Sequence, residues 1–299
     1  MNNSIKGLAA AMFSGILFSS CKYDVKDLLP APTASFTATP IPGVPNKYAL
    51  ASTSTNAFRY DWDKSGSGYV QGKALDTVYF PYMGNYTVKL FVYGQGGSAE
   101  TSQVINVAAN DPTACQGTHL GFITSCTSKK WKLDPGAAAY KVGPGPNDGS
   151  WWSNNVGDVA ARYCEFNDEY TFTFSASRTF EYDNKGDFFG DGYLGDNTGT
   201  CQPSSNYTAV QAPWGSGSFT YTFTDGGGIA GLGQLTVTGL GAHIGLQKVR
   251  NGGEVTSSPA TAITYDILAE THDPGGFDLL TLGVAIASPG WWTFRLRSF

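Results

Sequence analysis

The feature that most narrows the fold is a two-residue alternation of aromatic and hydroxylic side chains in the second half of the chain. Tyr170-Thr-Phe-Thr-Phe174 and Thr179-Phe-Glu-Tyr182 both place their rings on even numbers, so one face of each run is aromatic and the other is Thr or charge. Successive side chains of a strand point to opposite faces, and this spacing is the signature of a half-buried strand. Phe219-Thr-Tyr-Thr-Phe223, Leu235-Thr-Val237, Ile244-Gly-Leu246 and Ile263-Thr-Tyr-Asp-Ile267 repeat it. Leu279 to Ile286 is nearly continuous and reads as a central strand. The chain ends on another, with Trp292, Phe294 and Leu296 inward and two arginines outward. No segment sustains a helical apolar period. Residues 115–299 are expected to form one antiparallel β-sandwich of jelly-roll type, and the fold class is all-β.

The first half is shorter-stranded. Ala34 to Pro40 alternates, Phe58, Tyr60 and Trp62 alternate again, and Gly84 to Tyr93 is its strongest strand. Several short strands separated by Gly and Pro turns predict a sandwich over residues 33–108, with 109–114 (Ala-Asn-Asp-Pro-Thr-Ala) as linker. Trp62 reads as the aromatic buried between its two sheets. This half resembles the PKD domain, an immunoglobulin-like module. The resemblance rests on Ala34-Ser-Phe36, Ser52-Thr-Ser-Thr-Asn56, Tyr60-Asp-Trp-Asp63 and Gly84-Asn-Tyr-Thr-Val88 with Leu90 and Val92. It implies a spacer. The usual Trp-Asp-Phe-Gly-Asp-Gly stretch is here Trp62-Asp-Lys-Ser-Gly-Ser-Gly68.

Only 14% of the residues are charged and the net charge is −5, with no basic run. A negative field repels phosphate, so a nucleic-acid partner is not expected. At the N-terminus, Lys6 and an apolar run from Gly7 to Phe18 make a segment too short for a stop-transfer helix but suited to a signal peptide over residues 1–20. Ser19-Ser20-Cys21 resembles the lipobox of bacterial lipoproteins. By that resemblance Cys21 is the lipidated residue, residues 21–32 are a tether, and the protein is anchored in the outer membrane and exposed at the cell surface. An ordinary signal peptide cut nearby is the alternative. Four cysteines follow, Cys115, Cys126, Cys164 and Cys201. An even number in an exported chain predicts two disulfides, with three connectivities open.

The most informative loop is Asp134 to Asn155, rich in Pro and Gly yet carrying adjacent Trp151 and Trp152. In an extended backbone the two rings point opposite ways, so at most one faces the core there. Indole faces stack on sugar C–H groups, and rigid rings lose little entropy on binding. Trp131, Tyr140, Trp214 and Trp291 are further candidates for a sugar platform, with Asp148 and Asn154 to bond hydroxyls. The bland reading makes these tryptophans a cover on the end of the sandwich. The acidic stretch Asp183, Asp187, Asp191 offers hard oxygen ligands for calcium, although Lys185 breaks EF-hand spacing and a solvated turn is the competing reading. No other cofactor is indicated.

Catalytic signals are thin. Glu165, Asp168 and Glu169 are the only clustered carboxylates, and His119, His243 and His272 lie far apart in sequence with no nucleophile elbow. The layout of anchor, PKD-like spacer and C-terminal β-domain resembles the surface glycan-binding lipoproteins of Bacteroidetes polysaccharide-utilisation systems, in the SusE/F-like position. Trp131-Lys-Leu-Asp-Pro, Gly149-Ser-Trp-Trp-Ser and Asn167-Asp-Glu-Tyr-Thr-Phe172 carry the C-terminal part of that likeness. It implies a non-catalytic protein whose partners are a polysaccharide, with β-glucans among the candidates, and a SusC/SusD-like uptake complex. A glycoside hydrolase or lyase using Glu165, Asp168 or Glu169, and an adhesive protein binding another protein, are the alternatives.

Overall fold

The computed structural model describes residues 29–194, 198–255 and 258–299. The signal segment, Cys21 and most of the tether lie outside them. Within them the chain is all-β, with a smaller sandwich followed by a larger antiparallel unit.

The smaller sandwich has seven strands: β1 Phe36–Pro40, β2 Lys47–Ser52, β3 Arg59–Asp63, β4 Val70–Gly72, β5 Leu75–Tyr79, β6 Gly84–Gly94 and β7 Gly97–Val107. One sheet runs β1-β2-β5 and the other β4-β3-β6-β7. Alternate residues of β6 (Val88, Leu90, Val92) meet Phe36, Leu50 and Val78 from the facing sheet. Trp62 sits between the sheets, edge-on to Phe36 at 5.1 Å, and its indole N–H donates to Lys73 O at 2.9 Å.

The larger unit contains β8 Ser128–Leu133, β9 Tyr140–Gly143, β10 Trp152–Ser153, β11 Glu169–Thr173, β12 Thr179–Asp183, β13 Asp187–Phe189, β14 Cys201–Pro203, β15 Gly217–Thr224, β16 Gln234–Thr238, β17 Val249–Arg250, β18 Gly253–Glu254, β19 Ala262–Asp273, β20 Phe277–Ala287 and β21 Gly290–Ser298. Three short helices accompany them: α1 His119–Thr124, α2 Val156–Ala161 and α3 Tyr163–Phe166. The main sheet runs β8-β11-β12-β15-β16-β19-β20-β21, and β21 pairs back onto β8 through Leu296–Leu133 and Ser298–Trp131. The ring therefore closes, and its two layers are the opposite sides of one sheet. Each of its strands pairs with the next ring strand along the chain. The expected class holds, but the connectivity is a meander and not the crossover pattern of a jelly roll. Alternation specifies which residues face inward and carries no information on strand order.

Closure with eight strands leaves an interior that side chains can fill. Tyr170, Phe172, Phe180, Tyr182, Tyr221, Tyr265, Phe294 and Leu282 all lie in one buried cluster. The segment Gly241–Gln247 is buried along its whole length. Its backbone finds partners there: Ile244 N–H donates to Tyr265 Oη at 2.7 Å, and Gly245 N–H donates to Tyr170 Oη at 3.0 Å. Ile244 and Leu246, read from alternation as a strand, thus belong to an inserted loop.

The pairing registers sort the connections by end. Short turns follow β11 and β19, and the Gly-rich loop 225–233 follows β15, at one end of the ring, where Asn110 of the linker donates to Phe174 O at 2.6 Å and Tyr82 packs on Phe174 at 4.8 Å. The three long insertions (134–168, 184–216 and 239–261) leave from the other end. The linker is held as well as covalently continuous, since Tyr79 donates to Asp111 at 2.8 Å and Asn46 to Ala109 O at 2.8 Å. The disulfides are Cys115–Cys126, which closes the loop around α1, and Cys164–Cys201, which joins the first insertion to the second.

Gly245 has φ +81°, and a Cβ there would overlap the Phe294 ring. Gly245→Ala is expected to lower unfolding stability by about 2–4 kcal/mol, from the left-handed backbone and overpacking together. A urea titration followed by tryptophan fluorescence measures it.

Candidate aromatic pocket

The insertions converge on a pocket of about 300 Å³ lined by Tyr140, Val142, Trp152, Arg162, Asp191, Leu246, Lys248 and Trp292. The first insertion supplies the residues up to Arg162, the second Asp191, the third Leu246 and Lys248, and β21 supplies Trp292. β9 lies along the first half of β21, pairing Val142 with Trp292 and Tyr140 with Phe294. β10 then pairs Trp152 with Val142. These two pairings bring three rings together. Tyr140 and Trp152 have centroids 5.2 Å apart, and Trp152 and Trp292 6.2 Å.

A buried ionic knot holds one wall. Arg162 Nε donates to Glu165 Oε2 at 2.7 Å, its Nη2 to Oε1 at 3.0 Å, and Tyr140 O–H donates to the same carboxylate at 2.9 Å. The guanidinium lies 3.8 Å from the Phe189 ring centroid. Burial disfavours the Arg162 charge, but the Glu165 carboxylate more than offsets this and holds its pKa above the ordinary value. Tyr140 is raised chiefly by burial and then by Glu165, so it stays a neutral donor. The other wall is set by Glu254, which accepts from Trp292 Nε1 at 2.6 Å and pairs with Lys248 at 3.2 Å. The Lys248 ammonium lies 5.1 Å from the Trp292 ring centroid, within cation–π range. Rings and charged groups are thus held in place by contacts within the protein.

Of the sequence candidates, Trp152 and Tyr140 line this pocket. Trp151, just before β10, is 54% exposed and does not line it. Trp131 and Trp214 are corrections. Trp131 is fully buried in the ring with its indole N–H on Ile123 O at 2.9 Å, and Trp214 is buried among Phe188, Leu194 and Val255. Neither can stack on a ligand. Trp291 lies on β21 beside Gly143 and does not line the pocket. Asn154 is also buried: its amide holds Tyr140 N–H, Gly136 O and Asn155 O, so it positions the wall and has no free face for a hydroxyl. Asp148 accepts from Ser150 N–H at 2.7 Å and shapes the loop outside the pocket. Arg162, Lys248 and Trp292 were not legible as site residues. Arg162 carries no motif, and Trp292 reads as core because it is both core and wall.

The three acidic calcium candidates are not brought together. Asp183 pairs with Lys185 at 2.7 Å, Asp187 accepts from Asn167, and Asp191 faces Arg162 at 3.7 Å. Among the described residues no three His, Cys, Asp or Glu side chains gather around a metal-sized point. The carboxylates of the hydrolase alternative are engaged too. Glu165 is locked by Arg162, Glu169 pairs with Lys130 at 2.9 Å and Lys185 at 2.8 Å, and Asp168 is buried under Tyr182.

No protein-family model matches the chain, and no curated protein matches it. Solved structures similar to parts of it include the PKD1 domain of the Vibrio cholerae metalloprotease PrtV, 26% identical over 27% of this chain and 100% of that one, at a TM-score of 0.24. The PKD1 domain of Vibrio anguillarum Epp is 20% identical over 27% of this chain and 96% of that one, at 0.24. A carbohydrate-binding module of the β-sandwich superfamily is 12% identical over 90% of this chain and 91% of that one, at 0.25. At these TM-scores the likenesses carry no functional weight.

Asp168 is a buried carboxylate next to α3. Tyr182 O–H donates to its Oδ2 at 2.8 Å, and its Oδ1 has no partner among the described residues. Burial raises its pKa well above the ordinary value, against the Tyr182 bond. The folded state then binds its proton more tightly than the unfolded chain, so this group's contribution is complete below the unfolded pKa and declines as pH rises toward the folded one. Asp168→Asn is expected to match the parent near pH 4 and to become the more stable protein as pH rises above the ordinary carboxylate range, read from urea midpoints at each pH.

Proposed function

We propose that this protein is a non-catalytic, lipid-anchored surface protein that captures a polysaccharide through the aromatic pocket. The supporting observation is the convergence of three insertions on one mouth, which sets Tyr140, Trp152 and Trp292 around a cavity flanked by Arg162, Lys248 and Asp191. Loops on a rigid frame are where binding residues concentrate, and a few fixed polar groups among rings are the usual make-up of a small-molecule site. The cations have carboxylate partners in Glu165, Asp191 and Glu254, so the mouth carries no excess of positive charge and suits a neutral glycan. The pocket lies at the end of the ring away from the smaller sandwich, which contacts the other end. With Cys21 as the lipid anchor, the PKD-like sandwich lifts the pocket off the membrane, and a SusC/SusD-like complex of a Bacteroidetes outer membrane takes the captured chain. β-Glucans are the first polymers to try.

Native gels cast with a panel of polysaccharides test the reading. At least one is expected to retard the protein. Trp152→Ala is expected to weaken that retardation by about tenfold or more, Lys248→Ala by less, and Trp151→Ala least. Normal migration in every gel would sink the glycan reading and favour a protein partner. Release of reducing sugar from any of the polymers would instead make it an enzyme.

A further inference from the structure

The end of the ring nearest the smaller sandwich holds a larger cavity, of about 540 Å³, between α1, the start of β8 and the β19–β20 hairpin. It shares no residue with the aromatic pocket. His119 and His272, remote in sequence, meet here because α1 folds over the hairpin. His119 Nδ1 is 2.9 Å from Glu270 Oε2, and His272 Nδ1 is 2.5 Å from Asp278 Oδ1. Lys129 pairs with Asp278, donates to Phe122 O at 2.8 Å, and holds its ammonium 4.8 Å from the Phe122 ring centroid.

We infer that this cavity is a second carbohydrate pocket, taking a neutral pyranose residue through Glu270, Lys129 and His119. The ligand class rests on the glycan reading given above. The residues carry the rest of the argument. Acids and bases alternate around the wall, so the cavity favours neither an anion nor a cation strongly. The groups still have capacity. Glu270 Oε1 is shielded from water and accepts no bond among the described residues. Burial raises the Glu270 pKa and the His119 contact only partly opposes this, so a further donor would favour its charged form. Glu270 lines the cavity, and the terminal torsion of its side chain is soft. Neither imidazole Nε2 has a hydrogen-bond partner among the described residues, and the Lys129 ammonium uses two of its three protons. A carboxylate oxygen beside an ammonium and an imidazole is the pattern that adjacent hydroxyls satisfy, one donating and the next accepting. Contact at both ends of the ring would let one polymer engage two sites, which raises apparent affinity without any new contact at either.

The chain has three histidines, and they report the site directly: His119 and His272 line it, while His243, fully buried inside the ring, is the internal control. Imidazole NMR spectra of the 15N-histidine-labelled protein would be followed during addition of methyl β-glucopyranoside, methyl α-mannopyranoside and methyl β-xylopyranoside. At least one is expected to shift His119 and His272 saturably and leave His243 in place. The shifts should persist in Trp152→Ala and weaken by about tenfold in Glu270→Gln, with His119→Gln as the second variant if Glu270→Gln loses the His243 signal. No shift with any of the three, or shifts that vanish in Trp152→Ala, would overturn the second pocket. Retardation in the gels with no histidine shift leaves the first reading standing and removes this one. The reverse result removes the first.

Discussion

The pairing of β8 with both β11 and β21 is the constraint on which the larger unit depends. It removes the exposed sheet edges that would otherwise template aggregation, and it fixes the volume that side chains must fill. Trp131 anchors it from within, buried on β8 with its indole N–H on Ile123 O. Arg295 of β21 anchors it from outside, donating to Asp134 at the end of β8 at 2.8 Å. Gly241–Gln247 is buried along its whole length and adds to the packing inside the ring. Tyrosine hydroxyls from β11 and β19 satisfy the backbone that this segment brings inside.

With the ring closed, its insertions are free to build. All three emerge on one side because consecutive antiparallel strands alternate direction, so every second connection falls at the same end. The Cys164–Cys201 bridge then ties two of them together, which lowers the entropy of the unfolded chain and fixes Arg162 near Asp191. The Arg162–Glu165–Tyr140 knot is a positioning device. It holds a ring, a cation and a carboxylate in one arrangement, at the cost of burying charge that is tolerable only because every partner is present. Glu254 does the same for Trp292 and Lys248.

The smaller sandwich is arranged otherwise. Its core is separate, and it touches the ring through a few groups: Asn110 on Phe174 O, Tyr82 on the Phe174 ring, and the small cluster around Cys115 and Cys126. Those contacts sit beside the second cavity and at the opposite end from the aromatic mouth.

The amino-acid sequence by itself determined most of the strands and their inward faces, Ile244–Leu246 excepted. These follow from a period of two and from turn residues, which are local properties of the chain. Trp62, Phe172, Phe180 and Phe294 are buried where alternation puts them. Trp152 stands out in the sequence as a tryptophan in a Gly- and Pro-rich segment, and the structure puts it on the short edge strand β10, in the pocket wall. Only the tertiary structure decided the rest. Strand order, the closure of β8 onto β21 and the disulfide pairing depend on contacts between residues far apart in sequence, about which alternation is silent. So does the choice among aromatics: Trp131 and Trp214 look like Trp152 in composition, yet the ring and a side cluster bury them. Arg162 and Lys248, or His119 and His272, acquire meaning only when strands and insertions that are distant along the chain become neighbours in space.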